Sequence, residues 1–190
     1  MKPFMIRAVI AGLCAASLAG CISSSGPVLT DSKPLLGQKL RLQLYTLRKG
    51  FVSEPEQTLF TWDGKLYVHA GGGLRDVRAF SLHAFEGGDY IAQDVPVKHP
   101  DISEYALVRK LTDGVYLVRA IDEDDADEAT RAANCVHTDK VACRVETPDQ
   151  LFALARATAA KHYDDGGLAI RLDEPLPPAR PIKRRPPRRH

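Results

Sequence analysis

Ser81 and His83, in the stretch FSLH, are the pair in this 190-residue chain best suited by type and spacing to nucleophilic chemistry. Two residues apart on a strand, they share a face, and a histidine there can take the serine's proton. A catalytic serine also needs a sharp exposed turn, an orienting acid and donors for an oxyanion. The neighbouring sequence signals none of these, and Gly-x-Ser-x-Gly is absent. The pair therefore reads as alternate residues of an ordinary strand. Glu86 and Asp89 flank a Gly-Gly pair, and a tight solvated turn offers neither the pocket nor the burial that separates two carboxylate pKa values. HAGGG, ending at Gly73, lacks the spacing of a nucleotide-binding loop and reads as a turn.

Cys135 and Cys143 bracket CVHTDKVAC. With His137 and Asp139 they would make a metal site of a spacing that fits no common zinc module. A disulfide is the simpler expectation, and closing a loop of about nine residues stabilises a fold by about 2.5 kcal/mol. The acidic run DEDDADE, Asp122 to Glu128, lacks the glycine that a calcium loop needs for its sharp turn. It reads as a solvated, mobile loop. No catalytic residue, metal site or cofactor is expected from these patterns.

The elements that must position these residues are mostly strands. In KLRLQLYTL, Leu40, Leu42 and Leu44 alternate with Lys39, Arg41 and Gln43, the period of a half-buried strand. TLFTWDGKLYVH follows as two β-prone runs joined by Asp63-Gly64, the signature of a type I′ hairpin. VRAFSLHAF, DYIAQDV, YALVRKL and VYLVRAI come next, divided by short turn signals that fit an antiparallel meander rather than βαβ units. TPDQLFALARATAAKHY reads as one helix, with Thr147 and Gln150 as a capping box, Pro148 in the first turn, and Leu151, Leu154, Ala155, Thr158 and His162 on one face. LAIRL, after Gly166-Gly167, reads as a last strand returning to the sheet. The fold class expected is α+β, mainly antiparallel β. It is a meander or partly closed barrel of about seven to eight strands with one helix on the C-terminal side.

The first twenty residues carry Lys2 and Arg7 and then an apolar run from Ala8 to Leu18. That run is too short to cross a hydrocarbon core, which needs about 20 residues, and has the shape of an export signal. Its end, Leu18-Ala19-Gly20-Cys21, resembles the lipobox of bacterial lipoproteins. That resemblance implies cleavage after Gly20 and a diacylglycerol on the sulfur of Cys21. Ile22, where an aspartate would hold the protein at the inner membrane, implies the outer membrane, with the domain facing the periplasm. The resemblance covers roughly residues 1–25. An oxidising compartment also favours the disulfide between Cys135 and Cys143.

Processing at Gly20 removes two cations and leaves 24 basic and 24 acidic side chains, unevenly placed. The terminal PLPPARPIKRRPPRRH holds six cations, Arg180, Lys183, Arg184, Arg185, Arg188 and Arg189, and no acid. Such a proline-rich stretch has little to bury and reads as a disordered basic tail. The division expected is a signal at 1–20, a lipidated cysteine and flexible tether at 21–37, one β-rich domain at 38–173 and the tail at 174–190. Export argues against nucleic acid as the tail's partner. The partners expected are the membrane, through the lipid, and an anionic envelope polymer or acidic protein face, through the tail. The function expected is a non-catalytic binding or accessory role in the envelope. The alternatives are an envelope hydrolase whose site is assembled from distant residues and a carrier of a lipid or small apolar ligand.

Overall fold

The computed structural model describes residues 22–48, 51–69, 78–96, 102–138, 141–161 and 166–172. Its strands are β1 (Ser23–Ser24), β2 (Lys39–Arg48), β3 (Phe51–Val52), β4 (Glu56–Trp62), β5 (Tyr67–His69), β6 (Arg78–Ala84), β7 (Tyr90–Pro96), β8 (Ser103–Thr112), β9 (Val115–Ala120), β10 (Val136–Thr138), β11 (Val141–Arg144) and β12 (Gly166–Arg171). The helices are α1 (Glu128–Asn134) and α2 (Pro148–Ala159).

Eight strands close into a barrel. From β2 through β4, β5, β6, β7 and β8 to β9 each pairs antiparallel with the next, and β12 inserts between β9 and β2. The fold is thus mainly antiparallel β, a meander that closes fully. The last strand completes it by lying beside the first, Ala169 opposite both Leu44 and Tyr116. Gly166 begins that strand at a φ of 136°, where an added Cβ would stand 2.6 Å from the carbonyl oxygen of Val118. Only glycine fits so near a neighbouring backbone.

Alternation sorts side chains to the two sides of the wall. Leu40, Leu42, Phe60, Tyr67, Leu82, Val108, Tyr116 and Ala169 gather inside with Trp62, Phe80 and Tyr90 at their edge. Phe80 lies against both Phe60 and Tyr67, at 4.9 and 5.3 Å between ring centroids. Eight strands give an interior that side chains can just fill, and here large aromatic and aliphatic groups occupy it. The outer face of β7 and β8 carries a second core, in which Ile91, Tyr105 and Leu107 pack with Ile22, Leu29, Ile121, Cys143, Val145, Leu151, Leu154 and Ala155.

An up-and-down barrel has two rims. The connections at 63–66, 85–89 and 113–114 lie at one, here called the lower rim, where β2 begins and β12 ends. The ends of β2, β7 and β9 and the starts of β4, β8 and β12 form the upper rim. At the lower rim the Asp63-Gly64 hairpin forms, but not as a type I′ turn, because among the described residues no non-glycine has positive φ. Instead the Asp63 carboxylate accepts from the backbone of Lys65 and Leu66 at 2.8 and 2.7 Å, an Asx-type closure that removes the need for a left-handed Asp63.

Two readings of the sequence need correction. Residues 22–37 are no flexible tether. Ser23 and Ser24 pair with β8, Ser23 also pairs with β11, and Ile22, Leu29 and Leu36 are buried. Burial of three apolar side chains, together with bonds from the barrel described below, offsets the entropy that a Ser- and Pro-rich segment would otherwise keep. The acidic run is likewise ordered. A single helical turn covers Glu123–Asp125, and Asp127 caps α1 by accepting from the Thr130 N–H at 2.7 Å. Glu123 is buried, and Asp125 meets Arg119 at 3.1 Å. Aspartates that look like a charged face are in part helix caps.

Helix α2 has the expected capping box between Thr147 and Gln150, and it buries Leu151, Leu154, Ala155 and Thr158. Its last turn is tied to β8, where the Arg109 guanidinium donates to the carbonyl of Ala159. Cys135 and Cys143 form the expected disulfide, linking the end of α1 to β11. Cys21, the tail cations Arg180 to Arg189, the loop through Gly73, Asp139 and His162 lie outside the described residues.

Candidate functional site

Residues 22–37 cross the outside of the barrel as a strap, and polar side chains of the wall hold its backbone. Tyr105, on β8, is first: its hydroxyl stands 2.6 Å from Ser24 Oγ and accepts from the Val28 N–H at 3.3 Å. Gln93, on β7, makes a reciprocal pair with Leu29, accepting from its N–H at 3.1 Å and donating to its carbonyl at 3.2 Å. At the lower rim the Tyr67 hydroxyl accepts from the Leu36 N–H and donates to the Gly37 carbonyl, at 3.1 and 2.9 Å. Buried backbone groups need such partners, and where the strap leaves the sheet ladders it finds them in these side chains and in its own short turns at 30–32 and 33–37.

Ser81 and His83 belong to this seam. Alternation does place them on one face, and Ser81 Oγ lies 2.8 Å from His83 Nε2, with the Gln93 amide 3.5 Å beyond Ser81. Burial holds the His83 pKa below its ordinary value, partly countered by a hydrogen bond to the backbone of Asp31 and by the Asp31 charge. A neutral imidazole is satisfied on both nitrogens here: it accepts the serine hydroxyl and donates to the strap. By residue type this is serine, histidine and aspartate in sequence of contact. By geometry it is not a catalytic triad. Ser81 is only 1% exposed, so no substrate carbonyl reaches its oxygen in this conformation, and His83 donates to the backbone of Asp31 rather than to its carboxylate.

A groove of about 400 Å³ opens beside the seam, lined by Leu29, Asp31, Lys33, Leu35, His83 and Phe152 among others. Its lining is more apolar than polar, and Asp31, Lys33 and His83 are the titratable residues in it.

The other candidates are spent in structure. Glu86 pairs with Arg156 of α2 at 2.8 Å, and Asp89 pairs with Arg109 at 3.5 Å while accepting from the Lys110 N–H at 2.9 Å. They are separate ion pairs, not an acid and base acting together. Glu123, Cys135 and Cys143 bring three possible ligand atoms within 4.8 Å of one another, but with the sulfurs bonded to each other there is no thiolate to bind a metal.

Asp31, Gln93 and Tyr105 were not singled out by the sequence. The available signal was Ile91, Tyr105 and Leu107, apolar or aromatic at positions that alternate with the inward-facing residues of the same strands. Such double-sided apolar character means that something covers the outer wall. Compared with known proteins, the chain matches no family model, no curated protein and no solved structure. The class is therefore defined by its own geometry, a closed eight-stranded up-and-down barrel with a strapped, helix-covered flank.

Proposed function

We propose that this protein is a lipid-anchored component of the bacterial outer membrane, facing the periplasm, that binds or bridges rather than catalyses. The observation that carries the reading is polarity of the barrel. Ile22, next to the lipobox cysteine, is built into the upper rim, and Leu172, which precedes the basic tail, bonds to Arg41 near the lower one. An anchor next to one pole, and a described chain that ends near the other with six cations following in the sequence, suit a bridge from the membrane to an anionic envelope polymer or an acidic protein face.

The filled barrel interior and the buried Ser81 weigh in the same direction. Phe60, Tyr67, Phe80 and Leu82 occupy the space an enclosed ligand would need, and the best nucleophile is sealed under the strap. The test is in-cell crosslinking with mass spectrometry, comparing the full chain with one ending at Glu174. Crosslinks to an anionic partner that vanish with the tail support bridging. Crosslinks that persist move binding to the barrel surface and its groove. Turnover of peptidoglycan fragments or esters by the purified protein overturns the reading.

A further inference from the structure

We infer that the upper rim of the barrel is a membrane-contact face, with Phe51, Val52 and Ile102 entering the interfacial layer of the bilayer. The inference rests on the reading of Cys21 as lipidated. Ile22 is wholly buried, and its N–H donates to the Ile121 carbonyl at 3.3 Å, just beyond the end of β9. Neighbouring Cα atoms are about 3.8 Å apart, so acyl chains on Cys21 attach to this rim without a spacer. A barrel held that way rests on the headgroups instead of hanging below them.

The rim is made for such a contact. Five large apolar side chains are exposed among the described residues, and three of them are here: Phe51 at 61%, Val52 at 59% and Ile102 at 38%. Phe51 and Val52 form β3, which pairs with Leu47 and Arg48 at the upper end of β2. Ile102 stands immediately ahead of β8, whose first residues pair with Ser23 and Ser24. Leu35 and Leu111 belong to the opposite end. Single exposed apolar residues are ordinary on any surface. Three on the one rim from which the lipidated residue emerges are placed where an interfacial segment sinks roughly 5–10 Å into the headgroup and acyl boundary. Exposed Arg48 beside Phe51 is suited to a headgroup phosphate.

The experiment uses the full chain, expressed with its signal, purified in detergent and reconstituted into phosphatidylcholine vesicles containing doxyl-labelled lipid. Acylation occupies Cys21 and the disulfide occupies Cys135 and Cys143, so an introduced Val52→Cys or Leu111→Cys provides a single free thiol for an environment-sensitive fluorophore. Both sites are more than half exposed, and circular dichroism checks that the fold is intact. The expected result is a blue shift and loss of fluorescence at position 52 and neither at position 111. Equal, water-like signals at both positions overturn the inference, as does a blue shift at 52 without quenching by the labelled lipid, which means that protein covers the rim. The mass of the N-terminal peptide is read separately. A peptide without diacylglycerol overturns the anchoring itself and this inference with it, whereas an acylated chain with position 52 in water overturns the rim contact alone.

Discussion

His83 carries a proton balance that can be worked out from its surroundings. Burial depresses its folded pKa, and Asp31 recovers only part of the loss. The unfolded value is about 6.5. A neutral folded histidine contributes its full stability above that unfolded value, and the contribution is lost as pH falls through the depressed folded one. Stability should therefore decline below about pH 6.5 by at most ~1.4 kcal/mol per pH unit from this group. His83→Gln should flatten the decline in urea titrations between that pH and the onset of carboxylate protonation. An unchanged slope in the variant would show that His83 is not the group involved. Ser81→Ala removes the hydroxyl that satisfies Nε2 in a buried seam, and a cost of about 1–3 kcal/mol is expected. A fluorophosphonate probe should leave Ser81 of the folded protein unlabelled, and labelling there would restore the hydrolase reading.

At the scale of elements, the disulfide is the clearest case of local stabilisation. It joins the end of α1 to β11, with Cys143 fully buried in the outer core. The double substitution Cys135→Ala with Cys143→Ala should lower unfolding free energy by about 2.5 kcal/mol from loop entropy alone. The denaturant midpoint should fall accordingly, and a reductant should then have no further effect on the variant. What could be read from sequence and what could not divides along the same scale. The strand of Leu40, Leu42 and Leu44 and the capped helix from Pro148 were legible because a period and a cap are local patterns. The strap was not, because its segment is poor in apolar residues and its bonds come from far along the chain: Ser24 meets Tyr105 across 81 residues. The Ser81–His83 contact was legible as a shared face, but its role was not, since that depended on Asp31 in a segment read as a tether. Helix α1 was hidden by composition, since a run of acids reads as solvated charge until one aspartate is seen to cap a turn.

The whole molecule depends on its last strand. Seven barrel strands are joined to their neighbours by short-range meander pairings, but closure waits for β12, which must travel past α1, the disulfide and α2 to reach the gap between β9 and β2. Six residue pairs tie β12 to β2, from Gly166 opposite Leu47 to Arg171 opposite Leu42, and four more tie it to β9. Without it β2 and β9 would both be left as open edges along much of their length, and unpaired edges of this kind template association between chains. Two truncations separate closure from the tail. A chain ending at Glu174 keeps β12 and should remain monodisperse with a cooperative thermal transition, while a chain ending at Asp165 should aggregate or elute as oligomers on size-exclusion chromatography. Gly166→Ala tests the same closure without shortening the chain. The new Cβ would stand 2.6 Å from the Val118 carbonyl oxygen in a backbone conformation that alanine disfavours, and a loss of about 1–3 kcal/mol is expected. If the chain ending at Asp165 stays monomeric and melts like the full chain, β12 is not what holds the barrel shut.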